Sequence, residues 1–254
     1  MGMKKAVFAV LASLVAVSAT AAPAFNKLES AIANTYVYNE VANFFNGEES
    51  LFDEPIEQRF GTKGVVYTRE YVVEYTRNQI RAAKKFKGKR IFFAECNVAA
   101  IGVDARNNPY VRCHAFGLPS KPVFYFDKDA AESLADYNQN DVLNFVCEGG
   151  DYVSGVATAK HCEVANPVIE QVRESIRSFL YSDPVIIYGI VRMSQGMNKS
   201  EKLNCLKGPR ACAEVTKNYD ELMGRMEGKG YQECLNRMAE LGVNIEEFKK
   251  MLQN

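Results

Sequence analysis

Seven cysteines, at positions 96, 113, 147, 162, 205, 212 and 234, set the tightest limit on what this chain can fold into. There is no Cys-x-x-Cys, and His114 and His161 are the only histidines, so the ligand spacing of a zinc site is missing. Paired thiols are the alternative, and they belong to an oxidising compartment. Seven is odd, so at least one thiol stays free or pairs between chains. Two of the cysteines carry a geometric signal. Cys147 and Cys162 lie equally far from Ser154-Gly155, a turn signal between apolar runs. If a hairpin turns there, residues whose numbers add to 309 face each other, and these two do. Directly opposed Cβ atoms lie about 4.5–5.5 Å apart, within reach of a disulfide after local twist. A turn at Gly149-Gly150 would separate the pair, so the bond tests the register.

The start of the chain agrees with an oxidising destination. Lys4 and Lys5 precede an apolar run from Ala6 to Val17, and Ala19-Thr20-Ala21 forms a small-x-small cleavage signature. The run is too short to span a bilayer. Residues 1–21 therefore read as a signal peptide, with the mature chain starting at Ala22. No cysteine follows the run, which argues against a lipid anchor, and no later stretch is long enough to cross a membrane. The expectation is a bacterial protein exported in soluble form to the periplasm, or secreted. Without Lys4 and Lys5, the 31 basic side chains fall to 29 against 31 acidic ones, a net of −2. That balance disfavours tight nucleic-acid binding, which leans on a basic face.

Periodicity divides the rest. Leu28, Ile32, Val37, Val41 and Phe44 recur at helical spacing and Gly47 is a stop, so 22–66 reads as an N-terminal helical segment and linker. Within 48–67 the pattern predicts a connection with one short helical turn. Tyr71, Tyr75, Ala82 and Phe86 predict one amphipathic helix from Thr68 to Gly88, with Arg77, Arg81, Lys84 and Lys85 on a solvated basic side. The period then becomes two. Residues 90–104 predict a strand with Phe92, Ala94, Cys96 and Val98 on one face and Phe93, Glu95 and Asn97 on the other. Strands at 110–116 and 122–127, a helix at 128–137, and strands at 140–147 and after Gly155 follow. Cys96 and Cys113 pair across the first hairpin if its long strand is bulged. From Pro167 the chain is helical, with segments at 167–181, 199–207, 211–226, 230–241 and 244–252, and an apolar stretch at 185–193. Cys205–Cys212 would cross the Gly208-Pro209 turn; Cys212–Cys234 would tie two helices instead. Sequence leaves both open.

Three strands, a helix and two strands is the connectivity of an OB-fold barrel. The expected fold class is α+β, a five-stranded OB-fold barrel at 67–165, flanked by the N-terminal helical segment and a helical region at 166–254. The residues also resemble a family, the tRNA-anti-like OB-fold domains of exported bacterial proteins. The likeness rests on Asn78, Ala82-Ala83, Phe86-Lys87-Gly88-Lys89, Phe126-Asp127-Lys128, Cys147-Glu148-Gly149 and Cys162. It covers residues 67–165; Cys96, Cys113 and the helical C-terminal region fall outside the pattern. The family's name reflects likeness to anticodon-binding domains and carries no function of its own.

OB barrels bind polymers or peptides on the face built around strands two and three. There the sequence sets Tyr110, Arg112, His114 and Phe116 on one side of strand two, with Tyr125 in strand three. Tyr110, Arg112 and Tyr125 are the candidate binding residues, able to stack bases or sugars. Phe124 and Phe126 are assigned to the barrel interior. Ser/His/Asp, Walker, His-Glu-x-x-His and Gly-x-Gly-x-x-Gly patterns are absent, Asp127 and Asp129 read as helix caps, and neither a catalytic residue, a metal nor a cofactor is expected. The expected function is an exported, disulfide-stabilised binding protein without catalytic activity, in a protein–protein or envelope accessory role. The alternative is oligonucleotide or oligosaccharide binding on the strand 2–3 face. The partner is then a protein or a polymeric ligand of the envelope.

Overall fold

A computed structural model describes residues 25–115, 117–118, 121–224 and 229–252. The signal-peptide reading of 1–21 and the candidate Phe116 lie outside the described residues. Contacts divide the chain into a unit from Val41 to Val172 and a second formed by residues up to Glu40 with those from Arg173 onward.

The first unit holds six strands: β1 (Val65–Tyr67), β2 (Arg90–Val103), β3 (Pro109–Cys113), β4 (Val123–Phe126), β5 (Val142–Val153) and β6 (Val156–Val164). They pair in the order β1-β2-β3-β4-β6-β5, and β2 also pairs with β5, which closes β2 to β6 into a five-stranded barrel. The β4–β6 pairing is parallel, and β1 adds in parallel to the outside of β2. Closure depends on β2 turning a corner. Its first half pairs with β5 and its second half with β3, and the ladder shifts at Glu95, which has φ 53°, and again at Ala99. Such bulges bend a strand and switch the side its residues face. The expected alternation in β2 is corrected accordingly. Ile91 and Phe93 point inward before the bulge, and Cys96 and Val98 after it. Phe92 faces out, where the Phe44 ring meets it at 5.1 Å. Both faces of Ile91–Ala94 are covered, which explains an unbroken apolar run.

Helix α1 (Lys27–Asn46) is followed by α2 (Asp53–Phe60), so the expected single turn within 48–67 is a two-turn helix plus β1. The predicted helix from Thr68 is two helices, α3 (Thr68–Arg77) and α4 (Gln79–Phe86). Asn78 breaks them: it leaves helical dihedrals, and its side chain accepts from the Arg81 amide at 3.0 Å, capping α4. The apolar spacing runs straight through the break, so pattern alone hid it. Tyr71, Tyr75, Ala82 and Phe86 all enter the barrel core. Phe124 and Phe126 lie there too, 0% and 3% exposed. The end of α4 abuts β5 so closely that a Cβ on Gly149 would lie 2.3 Å from the Phe86 carbonyl oxygen. Between β4 and β5 the chain makes a 3-10 turn (Lys128–Ala130) and one turn of helix, α5 (Ala131–Leu134).

The β5–β6 hairpin turns at Ser154 and Gly155, φ 51° and 82°, as a type I′ geometry requires. Phe145↔Val164, Val146↔Glu163, Tyr152↔Ala157 and Val153↔Val156 all keep the expected register. Between them two opposite bulges shift it by one and back. The Cys147–Cys162 disulfide forms beside the first of these. Cys96–Cys113 joins β2 to β3.

The second unit is helical. It contains most of α6 (Asn166–Ser182), then α7 (Pro184–Gly196), α8 (Lys199–Cys205), α9 (Pro209–Thr216), α10 (Tyr219–Gly224), α11 (Lys229–Glu240) and α12 (Ile245–Met251). The segment expected as one helix over 211–226 is thus divided. Asp183 caps α7 by accepting from the Val185 and Ile186 amides, and Asn244 caps α12. Ile187 and Val191 pack with Leu235, Met238, Leu241 and Phe248. Glu29, 1% exposed, holds the Arg237 guanidinium by two hydrogen bonds, at 3.0 and 2.8 Å. Cys205–Cys212 crosses the Gly208-Pro209 turn, which leaves Cys234 as a buried free thiol. No helix among the described residues is long and apolar enough to cross a membrane.

Candidate functional site

Strand alternation builds the site. In β3, Val111 and Cys113 point into the barrel, so Tyr110 and Arg112 point out. In β4, Phe124 and Phe126 point in and Tyr125 out. Tyr110 and Tyr125 are directly opposed across the two strands, with ring centroids 6.4 Å apart. The Arg112 guanidinium lies 5.3 Å from the Tyr110 ring centre, a cation–π distance. Gly102 on β2 faces Tyr110, and a Cβ there would sit 3.0 Å from the phenol oxygen. Its missing side chain lets the ring lie along β2. The three candidate residues therefore form one patch, with Arg112 exposed and both tyrosines half-buried. His114 lies past the end of β3.

The patch continues onto β6. There His161 Nδ1 lies 2.9 Å from Asp127 Oδ1. Asp127 was expected to cap the following helix. It stands at the cap position but makes no side-chain cap bond; its carboxylate goes to His161 instead. Around this pair three cations share two carboxylates: Lys160 meets Glu148 at 3.2 Å, and Arg59 and Arg90 both meet Glu163, at 3.2 and 2.7 Å. Arg90 also donates to the His161 carbonyl at 3.2 Å. Sequence reasoning missed the His161–Asp127 pair because no motif spacing links the two positions.

Among the described residues no group of three or more His, Cys, Asp or Glu side chains is placed to hold a metal ion. The helical unit carries a groove of about 370 Å³ lined by Phe25, Lys27, Ser30, Asn34, Leu206 and Pro209. Its polar lining groups are exposed or half-exposed, unlike the desolvated polar anchors of a small-molecule site. In the apolar stretch at 185–193, Ile187, Ile190, Val191 and Met193 are buried, while Val185 is exposed and Ile186 and Tyr188 are half-exposed.

The fold and this face define a class, an α+β protein with an OB-like closed five-stranded barrel and helices on both sides of it in sequence. No protein-family model matches the chain, and no curated protein matches it. Among solved structures, one similar chain is a lipoprotein of Klebsiella pneumoniae whose name proposes nucleic-acid binding, at 14% identity and a TM-score of 0.34. The match covers 39% of this chain and 89% of that one. A likeness of that degree carries no argument about what this protein binds.

Proposed function

We propose that the protein is an exported, disulfide-stabilised binding module of the tRNA-anti-like OB type, without catalytic activity, serving the bacterial envelope by holding an oligosaccharide on the outer face of β3 and β4. The observation that carries this is the Tyr110–Tyr125–Arg112 patch, two phenol rings and a guanidinium on one rigid sheet. Aromatic rings take the apolar faces of sugars and bases alike. The neighbouring cations Lys160, Arg59 and Arg90 already engage Glu148 and a shared Glu163, which weakens their pull on a phosphate backbone. Arg112, Lys121 and Lys128 stay exposed, so the salt dependence of binding decides between sugar and phosphate. A protein partner docking on 185–193 would find little apolar surface, since Ile187, Ile190, Val191 and Met193 lie in the helical core and Val185 alone is exposed. Three disulfides fit an oxidising compartment.

The test is calorimetric titration of the periplasmically produced protein with an N-acetylglucosamine hexasaccharide and, separately, a deoxythymidine 12-mer, at low and moderate salt. The expected result is saccharide binding that is insensitive to salt and at least about tenfold weaker in Tyr110→Ala and Tyr125→Ala, the scale of a lost stacking contact. Oligonucleotide binding with a steep salt dependence and no saccharide binding would overturn the reading.

A further inference from the structure

His161 is the extra residue in two ladders at once. Between β5 and β6, Val146 faces Glu163 and Glu148 faces Lys160, so His161 and Cys162 together oppose Cys147. Between β4 and β6, Phe124 faces Ala159 and Phe126 faces Cys162, so Lys160 and His161 together oppose Tyr125. The backbone reaches this by setting His161 at φ 50°, in the left-handed region. Bulges of this kind re-aim side chains and recur beside functional sites, and a non-glycine residue held at positive φ is a reason to look for a role. The consequence is visible along β6. Ala157 and Ala159 face inward, then Cys162 does. Continued alternation would have sent His161 into the barrel; the bulge turns it outward beside Tyr125. Asp127, two residues beyond Tyr125 and on the same side of β4, fixes the ring through Nδ1. Both side chains are 55% exposed.

We infer that His161, oriented by Asp127, is a ligand-contacting residue of this face and takes a ring hydroxyl of the bound saccharide. The inference rests on the saccharide reading above and names the polar contact that reading lacks. With the shared hydrogen on Nδ1 and the ring in its neutral form, the lone pair lies at Nε2, whereas a protonated ring would donate from both nitrogens. Nε2 is then a hydrogen-bond acceptor pointing away from Asp127. A sugar hydroxyl can donate to it; a phosphodiester, which offers only acceptors, cannot. Tyr110 and Tyr125 cover the apolar face of a sugar ring while His161 reads a hydroxyl at its edge. Asp127 is a positioning residue in this scheme.

The experiment titrates the N-acetylglucosamine hexasaccharide into wild type, His161→Asn and Asp127→Asn, with Tyr110→Ala alongside. Asparagine tolerates positive φ, so His161→Asn keeps the bulge. Affinity is expected to fall about tenfold in His161→Asn, the scale of one lost hydrogen bond, with the thermal midpoint unchanged. Imidazole nitrogen NMR is expected to show His161 with its hydrogen on Nδ1, and Asp127→Asn is expected to lose that preference together with affinity. A merely structural histidine would not couple tautomer to binding. If His161→Asn binds as tightly as wild type while Tyr110→Ala does not, the inference fails and the saccharide reading stands. If wild type binds no saccharide, both fall.

Discussion

Tyr71 shows how much one side chain carries. It is fully buried, donates to the Thr158 carbonyl at 2.6 Å and accepts from the Gly150 amide at 3.1 Å. Tyr75 donates to the Gly150 carbonyl at 2.6 Å. The two phenols thus bolt α3 to the β5–β6 hairpin where its ladder is interrupted and backbone groups need partners. Tyr71→Phe should cost about 1–3 kcal/mol in urea unfolding, because a buried amide and carbonyl lose their partner. Burial raises both phenols above the usual tyrosine range, Tyr71 strongly. The fold therefore holds them neutral. Their contribution is complete below about pH 10, where the unfolded phenols also stay protonated, and declines at higher pH because the unfolded state ionises first. The thermal midpoint should fall between pH 9 and 11, and less steeply in Tyr71→Phe than in wild type. Candidate site residues divide at the same scale. The outward placement of Tyr110, Arg112 and Tyr125 was readable because β3 and β4 alternate without interruption. His161 was not, because a bulge inverts parity and leaves no mark in the amino-acid pattern.

Strands were legible where alternation and turn chemistry agreed, helices where caps did. Ser154-Gly155 predicted its turn and register because few other pairs adopt positive φ twice in succession. The compensating bulges between Val146 and Glu148 and between Gly149 and Tyr152 were invisible, since they cancel at the hairpin ends. The parity of β2 was misread for the same reason, with the bulge at Glu95 in mid-strand. Asn78 broke a helix that apolar spacing made continuous. The disulfide within the β5–β6 hairpin closes a separation of 15 residues, for which chain entropy gives about 3 kcal/mol. Cys147→Ser with Cys162→Ser should lower unfolding free energy by about that amount while far-ultraviolet circular dichroism stays the same. An unchanged stability would mean that packing alone sets this hairpin.

The whole molecule combines a barrel tied by two disulfides with a helical unit tied by one. Cys234 remains, buried, with its thiol pushed up to about 11 by that burial. Protein purified from an oxidising compartment should show no reactive thiol at pH 8 when native and one per chain in guanidinium, read with iodoacetamide and mass spectrometry; native labelling would place Cys234 at the surface. The OB-like connectivity was available from the order of elements, because three strands, a helix and two strands admit few right-handed, short-looped closures. The helical unit was readable only as segments, since helix-to-helix pairing depends on side-chain fit that periodicity does not encode. Ligand contact on the barrel is the central claim, and chemical-shift mapping of isotope-labelled protein during titration with the N-acetylglucosamine hexasaccharide tests it most directly. The account predicts saturable shifts confined to Gly102, Tyr110, Arg112, Tyr125, Asp127 and His161. Shifts centred on the basic side of α3 and α4, or on the groove beside Cys205, would contradict it.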